Sequence, residues 1–430
     1  MTLDEIRAIP GTMEAAYINA QAVEIKRYLD GRHRVLNRKD FTFKGETLRT
    51  SKILLQTIKS IIDFHASYLV GNPATLTGDG EAVRLFNAIY DKASYPLTDY
   101  RIVSDLVTYG NSYEYVYRDR RGVIQSKVFD PLDSYPVYDE KGEYTAFLEY
   151  WHDLPSGHEF YNLYEPDTVT EYSTTATGRL LETGRHRNLT GLPIHYVSGV
   201  QSLYNTYGVG VVADLIPIVD ELEALLSKTS DAVTTLSLNP LGVSSGQRID
   251  SRIDKDITGV ILNLEDGGQF AYASAEIDHN TVQMLINQLI NQLYTVAQVP
   301  SVVFNGNVSN VSEVSLKLLF TQLDNKAKRQ AAYLKEGFYR RWEAMRKLCR
   351  EKLTDKQFDS LDVSFNFNMP VDNSAILADL LAQHEAGALS KKSLIELSPY
   401  SANADAELLE IAKEQATATN DPTKRLAVNT

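Results

Sequence analysis

Apolar residues recur at helical spacing over residues 12–30, "TMEAAYINAQAVEIKRYLD", which predicts an amphipathic helix ended by Gly31. A basic turn follows, and residues 50–70 predict a second, more apolar helix stopped by "GNP". From Tyr100 to Val200 the period changes to two. Aromatic and β-branched residues alternate with polar ones between Gly, Pro and Asp, which predicts an antiparallel β-rich region with many exposed tyrosines. Residues 209–236 return to helix. The predicted apolar face is Val212, Leu215, Ile216, Val219, Leu222, Leu226, Thr229 and Val233, opposite Asp214, Asp220, Glu221 and Glu223, with Pro217 kinking it or marking its first turns.

Next, "DITGVILNL" and "QFAYASAEI" flank "EDGG", a plausible hairpin. Over 279–297 one helix face carries Val282, Leu285, Ile286, Leu289, Ile290, Leu293 and Val296, and the other is nearly all amide. "VPSVVFNGNVSNV" breaks that helix. A very long one is predicted from about Ser312 to Lys352, with Leu316, Leu319, Phe320, Leu323, Leu334, Phe338, Trp342, Met345 and Leu348 in phase. A strand with Val363, Phe365 and Phe367 alternating, helical hairpins over 374–416 and a disordered tail after Thr417 complete the pattern. A helix leaving a body, a small module and a second helix returning describe a stalk.

Composition narrows what such a chain can do. With 43 basic and 56 acidic residues its net charge is −13, which disfavours tight, global nucleic-acid binding. One cysteine, Cys349, excludes an internal disulfide and fits a reducing compartment; its apolar helical surroundings predict a buried, inert thiol. The N-terminus lacks the apolar core of a secretory signal. The uncharged run Asn280–Ser312 is interrupted by Asn287, Gln288, Asn291 and Gln292, so a soluble protein is expected.

Motifs for chemistry are scarce. No G-x-x-x-x-G-K-[ST] loop, H-E-x-x-H or C-x-x-C occurs. His65 reads as a packed core residue. His152, Asp153, His158 and Glu159 in "WHDLPSGHEF" could converge on a metal, but a polar hairpin turn explains them more simply. Asp214, Asp220, Glu221 and Glu223 could suggest a two-metal nuclease, yet no partner strand supplies further carboxylates, and solvated helix charge is expected. Neither a cofactor, a metal nor an enzymatic activity is expected.

Several stretches taken together resemble one family. "KRYLDGRHRVLNR" (26–38), "IKSIIDFHASYLVGNPATL" (58–76), "DLVTYGNSYEYVYRDRRGVI" (105–124), "YGVGVVADLIPIVDELEALLSKTSD" (207–231) and "NVSEVSLKLLFTQLDNKAKRQ" (310–330) occur in an order similar to that of the portal (head–tail connector) proteins of tailed bacteriophages, the group typical of long-tailed phages of Gram-positive hosts. Glu313 and Ser315 depart from the Gly and Ala usual in that family.

The resemblance implies an α+β portal fold in six parts. These are a β-rich and helical wing (1–208), a two-helix stem (209–236 and 278–298), a small α/β clip (237–277), a tunnel loop with the long tunnel helix and a return strand of the wing (299–371), and a helical crown with a flexible tail (372–430). It further implies a homo-oligomeric ring, commonly of twelve copies, at one capsid vertex, through which double-stranded DNA is packaged and ejected. Its implied partners are the terminase large subunit, a head-completion or adaptor protein, the major capsid protein and a scaffolding protein, with no membrane. It would nucleate procapsid assembly and lie in the virion, and in the host cytoplasm during assembly. The alternatives are another virion structural protein, a capsid or baseplate component without a channel, and a nucleic-acid-processing enzyme.

In such a ring Asn305, Gly306, Asn307, Ser309 and Asn310 would form a loop projecting into the channel. Amides there would touch moving DNA without gripping it, since strong phosphate contacts come from Lys and Arg. Lys317, Lys326, Lys328 and Arg329, with Lys335, Arg340 and Arg341 beyond them, would pair with acids of neighbouring subunits or form cationic rings. The amides Gln283, Asn287, Gln288 and Asn291 are candidate channel-lining groups on the stem.

Overall fold

Local chemistry sets the first elements. Helix α1, Leu3–Ala8, opens on a capping box in which Thr2 and Glu5 satisfy each other's backbone N–H. Thr12 then caps α2, Met13–Leu29, and Gly31 takes φ +76°, a conformation open to glycine, where the chain leaves it. The computed structural model describes residues 1–43, 46–175, 177–199, 207–234, 242–245, 267, 269–272, 279–300, 313–350, 353–368, 373–398, 400, 407–408 and 410–413.

After the short pair β1 (Phe41–Phe43) and β2 (Glu46–Leu48), residues 50–56 are not helical as expected; α3 spans only Thr57–Val70. The reason lies in the partners of that backbone, since three of its N–H groups are bound by side chains of a later helix, described below. Strand β3 (Thr75–Thr77) and α4 (Gly80–Ala93) follow, and α5 (Tyr95–Tyr109) occupies the start of the region expected to be strand. Pro96 in its first turn and Gly110 at φ +84° after its last residue bound α5.

The β-rich block begins at β4 (Asn111–Arg118) and continues through β5 (Ile124–Val128), β6 (Ser134–Tyr138), β7 (Tyr144–Asp153), β8 (His158–Tyr164), β9 (Thr168–Thr174), β10 (Leu180–Arg187) and β11 (Ile194–Val197). It forms a five-stranded antiparallel meander, β10-β9-β8-β7-β6, and a three-stranded sheet, β11-β4-β5. The tyrosines are largely inside. Tyr135, Tyr161 and Tyr172 pack with Leu148, Leu163 and Ile6, while Tyr113, Phe129, Phe147 and Tyr164 form a second cluster. Two buried hydroxyls have polar partners, since Asn19 donates to the Tyr135 oxygen at 2.6 Å and Tyr196 donates to Glu114 at 2.6 Å, whereas the buried Tyr144 hydroxyl has no hydrogen-bond partner among the described residues. Alternation marked the β-rich block from residue 111 onward but could not say which rings face water.

Helix α6 spans Val212–Val233, with Pro217 exposed in its second turn. Of the expected small module, Gly242–Ser245 (β12) pairs antiparallel with Gln269–Tyr272 (β13), and the first arm of the expected hairpin lies outside the described residues. Helix α7 spans His279–Ala297, and α8 runs 36 residues, Glu313–Leu348. Then come α9 (Asp355–Asp359) and β14 (Asp362–Ser364), shorter than the expected strand and paired with β3. Phe365 and Phe367 beyond it pack on Phe338 and Tyr68. Helices α10 (Asn373–Glu385) and α11 (Lys391–Leu397) follow.

The chain divides into two compact units. Unit 1 comprises Met1–Asn307 with Phe320–Asn368, and unit 2 comprises Val308–Leu319 with Met369–Thr430. Unit 1 holds the core clusters. One joins Ile25 and Tyr28 of α2, Ile58 and Ile61 of α3, Val212 to Val219 of α6 and Leu293 to Ala297 of α7. Among the described residues no helix is long and apolar enough to cross a membrane.

Candidate functional site

Helices α6 and α7 carry the candidate site. Their contact joins the beginning of α6 (Val212, Leu215, Ile216, Val219) to the end of α7 (Leu293, Tyr294, Ala297), so the two run antiparallel from a shared apolar base. The far half is less covered. Leu285, expected on the buried face, is 43% exposed, as is Met284 at 66%. The opposite face of α7 carries no charge. Gln283, Asn287, Gln288 and Asn291 are exposed along it, and Gln283 donates to the Asn287 side-chain oxygen at 3.0 Å.

α6 is gripped from the other side by the residues between α2 and α3. Leu55, Ile53 and Ser51 donate alternate backbone N–H groups to Glu223 (2.7 Å), Ser227 (3.0 Å) and Asp231 (2.7 Å). The spacing has a simple origin. Two extended residues advance about 6.6 Å and four helical residues advance about 6 Å, so acceptors four apart on a helix meet every second N–H of an extended chain. His33 completes the grip. Its Nε2 donates to the Tyr28 carbonyl at 2.8 Å, and its Nδ1 lies within hydrogen-bond distance of Glu223 Oε1, at 2.7 Å. Tyr28 donates its hydroxyl to Asp220, with Arg34 also paired to Asp220 at 3.2 Å and Arg38 to Asp231 at 2.7 Å. Burial, then this bond to Asp220, holds the Tyr28 hydroxyl well above its usual range. Glu223 is therefore fully buried, not solvated as expected from the helix pattern.

At its end α7 stops in a Schellman turn. The Val299 N–H reaches the Tyr294 carbonyl at 3.0 Å and Gln298 adopts φ +56°. The last carbonyl, Ala297 O, receives His65 Nε2–H at 2.8 Å and Lys326 Nζ at 3.4 Å. His65 is thus a core residue, as expected, and burial, followed by the Lys326 charge, lowers it to about 3.

The basic residues of α8 separate into different roles. Lys326 turns toward the end of α7, and burial, then the Arg329 charge, lowers it to about 8. Lys328 is exposed and pairs with Asp324 on its own helix at 2.6 Å; Arg329 is exposed. Lys335 pairs with Asp362 and Arg340 with Glu336. Arg341 is completely buried against Asp99 (2.6 Å) and Glu114 (2.9 Å), which excludes it from any channel wall. The loop of Asn305, Gly306, Asn307, Ser309 and Asn310 and the side chain of Lys317 lie outside the described residues.

The metal alternative finds no geometry. Across the β7–β8 turn His152 faces Glu159 and Asp153 faces His158, but Asp153 accepts the Ser156 N–H and His158 Nδ1 donates to the Thr174 carbonyl at 2.6 Å. Among the described residues no three His, Cys, Asp or Glu side chains converge on one point. Cys349 is half-buried rather than buried.

Residues 17–421 match the family described as phage portal protein, SPP1 Gp6-like. The chain belongs to that family. It is a structural protein of the virion, a portal forming a homo-oligomeric ring at the capsid vertex. Among solved structures the portal chain is similar to a chain from the neck of an empty GTA particle computed with C6 symmetry (12% identity, 82% of this chain and 88% of that one, TM-score 0.48). It is also similar to a chain of the virion of a native gene transfer agent (GTA) particle (12%, 90% and 92%, 0.47) and to one from the neck of a native GTA particle computed with C12 symmetry (11%, 88% and 92%, 0.48). These likenesses are too distant to add to the assignment. No curated protein matches the portal chain.

The residues that sequence reasoning missed are the acceptors on α6. Glu223, Ser227 and Asp231 recur every four positions, a signal present in the sequence; Glu223 was read as part of a solvated face, and Ser227 and Asp231 were unmarked. Asp99 and Glu114 were likewise unmarked, although a glutamate between tyrosines in "SYEYVYR" breaks the strand's apolar run.

Proposed function

We propose that the portal ring, of twelve copies, conducts double-stranded DNA during packaging and ejection, with α7 lining the channel. The observation that supports this is the uncharged face of α7: Gln283, Asn287, Gln288 and Asn291 are exposed in a row on a helix with no acidic or basic side chain apart from His279. A surface that must let a polyanion slide benefits from weak, interchangeable hydrogen bonds. Fixed ammonium or guanidinium groups would bind phosphates and release counterions, which slows movement. The chain's charge of −13, repeated around a ring, repels DNA from the body in the same sense.

On this reading α6 and α7 are the stem, residues 237–277 the clip, residues 1–208 with the return strand the wing, and residues 372–430 the crown. Asn305, Gly306, Asn307, Ser309 and Asn310 form the channel loop, and Lys317, Lys328 and Arg329 face DNA or a neighbour. The ring docks the terminase large subunit and later the head-completion protein, contacts major capsid and scaffolding proteins, and starts procapsid assembly in the host cytoplasm.

Electron microscopy of the purified protein tests the channel: a ring whose central hole admits a duplex is expected, and a closed particle rejects it. Replacing Asn287 and Asn291 by Lys then tests the lining. Rings should still form, while packaged DNA leaves more slowly and with a steeper salt dependence. Unchanged release would remove α7 from the channel wall.

A further inference from the structure

Within unit 1, the last turns of α3 and α5, residues 323–330 of α8 and the junction of α6 with α7 line a cavity of about 210 Å³, far more than the roughly 30 Å³ of one water. Its walls are mainly apolar, with Leu69, Val103, Leu106 and Leu323 among them. We propose that this cavity is a binding site for a carboxylate group, held by Lys326 and Gln330.

Two observations meet there. Lys326 lines the cavity with one weak contact, to the Ala297 carbonyl at 3.4 Å; its other neighbour, His65 Nε2, already donates to that same carbonyl and cannot accept. Among the described residues Lys326 makes no ion pair, whereas Lys328 and Lys335 on the same helix both do. The second observation is Gln330. Its Oε1 accepts the Gly199 N–H at 2.9 Å, which fixes the orientation of the amide, and its Nε2 is buried with no acceptor. An ammonium without a counter-ion and an amide N–H₂ without an acceptor line one cavity four residues apart on α8. Each omission is costly in an apolar setting, and a carboxylate supplies both a charge and two acceptor oxygens. Arg329 adds a second positive group to the wall. Asp214, exposed on the α6 side of the same cavity, disfavours a dianion such as phosphate and favours a single negative charge. The lowered Lys326 pKa agrees with an ammonium awaiting a partner.

The carboxylate has two possible sources, an Asp or Glu side chain of a second copy in the ring or a free small carboxylate. Two arms distinguish them. In the first, sodium acetate is compared with sodium chloride at equal ionic strength in thermal unfolding of the full-length protein. A free-anion site raises Tm by a few degrees in acetate only, and Lys326→Met or Gln330→Leu abolishes the difference. In the second, the ring is solved in acetate-free buffer, and a neighbour's carboxylate oxygen within ion-pair distance of Lys326 Nζ identifies the second copy. Water alone in the ring's cavity, together with acetate and chloride indistinguishable in the wild type or equally different in both variants, overturns the proposal.

Discussion

Arg341 of α8 places its Nε 2.9 Å from Glu114 Oε2 of β4, and neither side chain is reached by solvent. The guanidinium also binds Asp99 through Nη1 at 2.6 Å and lies 4.4 Å from the Phe338 ring centre. Burial alone would favour the neutral arginine, but two carboxylates outweigh it and hold the group well above its usual range. Burial raises Asp99 in turn, against the pull of Arg341. The long helix is therefore fastened to the sheet and to α5 by charge at one point, in register with the apolar seam of Leu334, Phe338, Trp342 and Met345.

Removing that charge should be severe. Arg341→Met leaves two carboxylates buried without a cation, a change that costs about 3–5 kcal/mol for such pairs. Adding Glu114→Gln to it should recover part of the loss, because the residual charge is then single. Urea unfolding of the wild type, the single and the double variant measures this, and an unstable double variant no better than the single would show that packing, not charge, governs the site.

The grip on α6 gives a graded prediction. Glu223→Ala removes the acceptor for both His33 and the Leu55 N–H and should cost about 2–4 kcal/mol. Glu223→Gln keeps a carbonyl oxygen for Leu55 and should cost clearly less. Equal midpoints for the two variants in urea would mean that Leu55 does not depend on this acceptor.

Much of this was legible in advance, and the failures share one cause. Helices α2, α6, α7 and α8 could be placed because each has a one-sided apolar period and ends at Gly, an amide or a polar run. Residues 50–56 could not, because their backbone is satisfied by Glu223, Ser227 and Asp231, about 170 positions away. Periodicity reports which residues share a face and is silent on what that face meets. The tyrosines of β4 to β11 and Glu223 were therefore assigned to water, and Arg341 to a neighbouring subunit or the channel, although these groups are largely held inside the protomer. The amide face of α7 was legible for the opposite reason, since among the described residues of unit 1 nothing buries it.

Acid sensitivity should trace partly to His65. Its folded pKa of about 3 lies below the ordinary 6.5, so the unfolded chain takes up a proton that the folded one refuses. The stability contribution is whole above pH 6.5 and falls as pH drops toward 3, with a slope of up to about 1.4 kcal/mol per pH unit. His65→Gln should remove that slope. Tm curves for the two proteins from pH 8 to pH 4 should separate only below about 6.5; parallel curves would show that His65 protonates equally in both states.

At the first described side chains of α8 the buried seam is narrower than expected. Phe320 and Leu323 are buried at 4% and 2% exposure, while Leu319, expected with them, is 44% exposed. Phe320→Ala should cost about 3–5 kcal/mol and Leu323→Ala about 2–5. Leu319→Ala should leave the protomer within about 0.5 kcal/mol of wild type. Calorimetry of the three variants checks the order, and a loss at Leu319 confined to assembled rings would place that side chain at a contact between copies.

Gln298 is a residue whose backbone works against its side chain. It follows the last residue of α7 and adopts φ +56°, where L-residues other than glycine, asparagine and aspartate are uncommon. The conformation is forced by the turn, in which the Val299 N–H must reach back to Tyr294 O. Glycine at this position would relieve the steric cost of the Cβ, about 1 kcal/mol, although the more flexible unfolded chain takes some of that gain back. The net expectation for Gln298→Gly is a rise in stability of about 0.5 kcal/mol. Gln298→Val, with a branched Cβ in the same conformation, should lose about 1–2 kcal/mol. Because Gln298 also lines the carboxylate cavity, its retention at a strained position has a testable reading. If the glycine variant is more stable yet loses the Tm difference between acetate and chloride, the side chain serves the cavity. If it is more stable and keeps that difference, the strain at Gln298 has no part in the site.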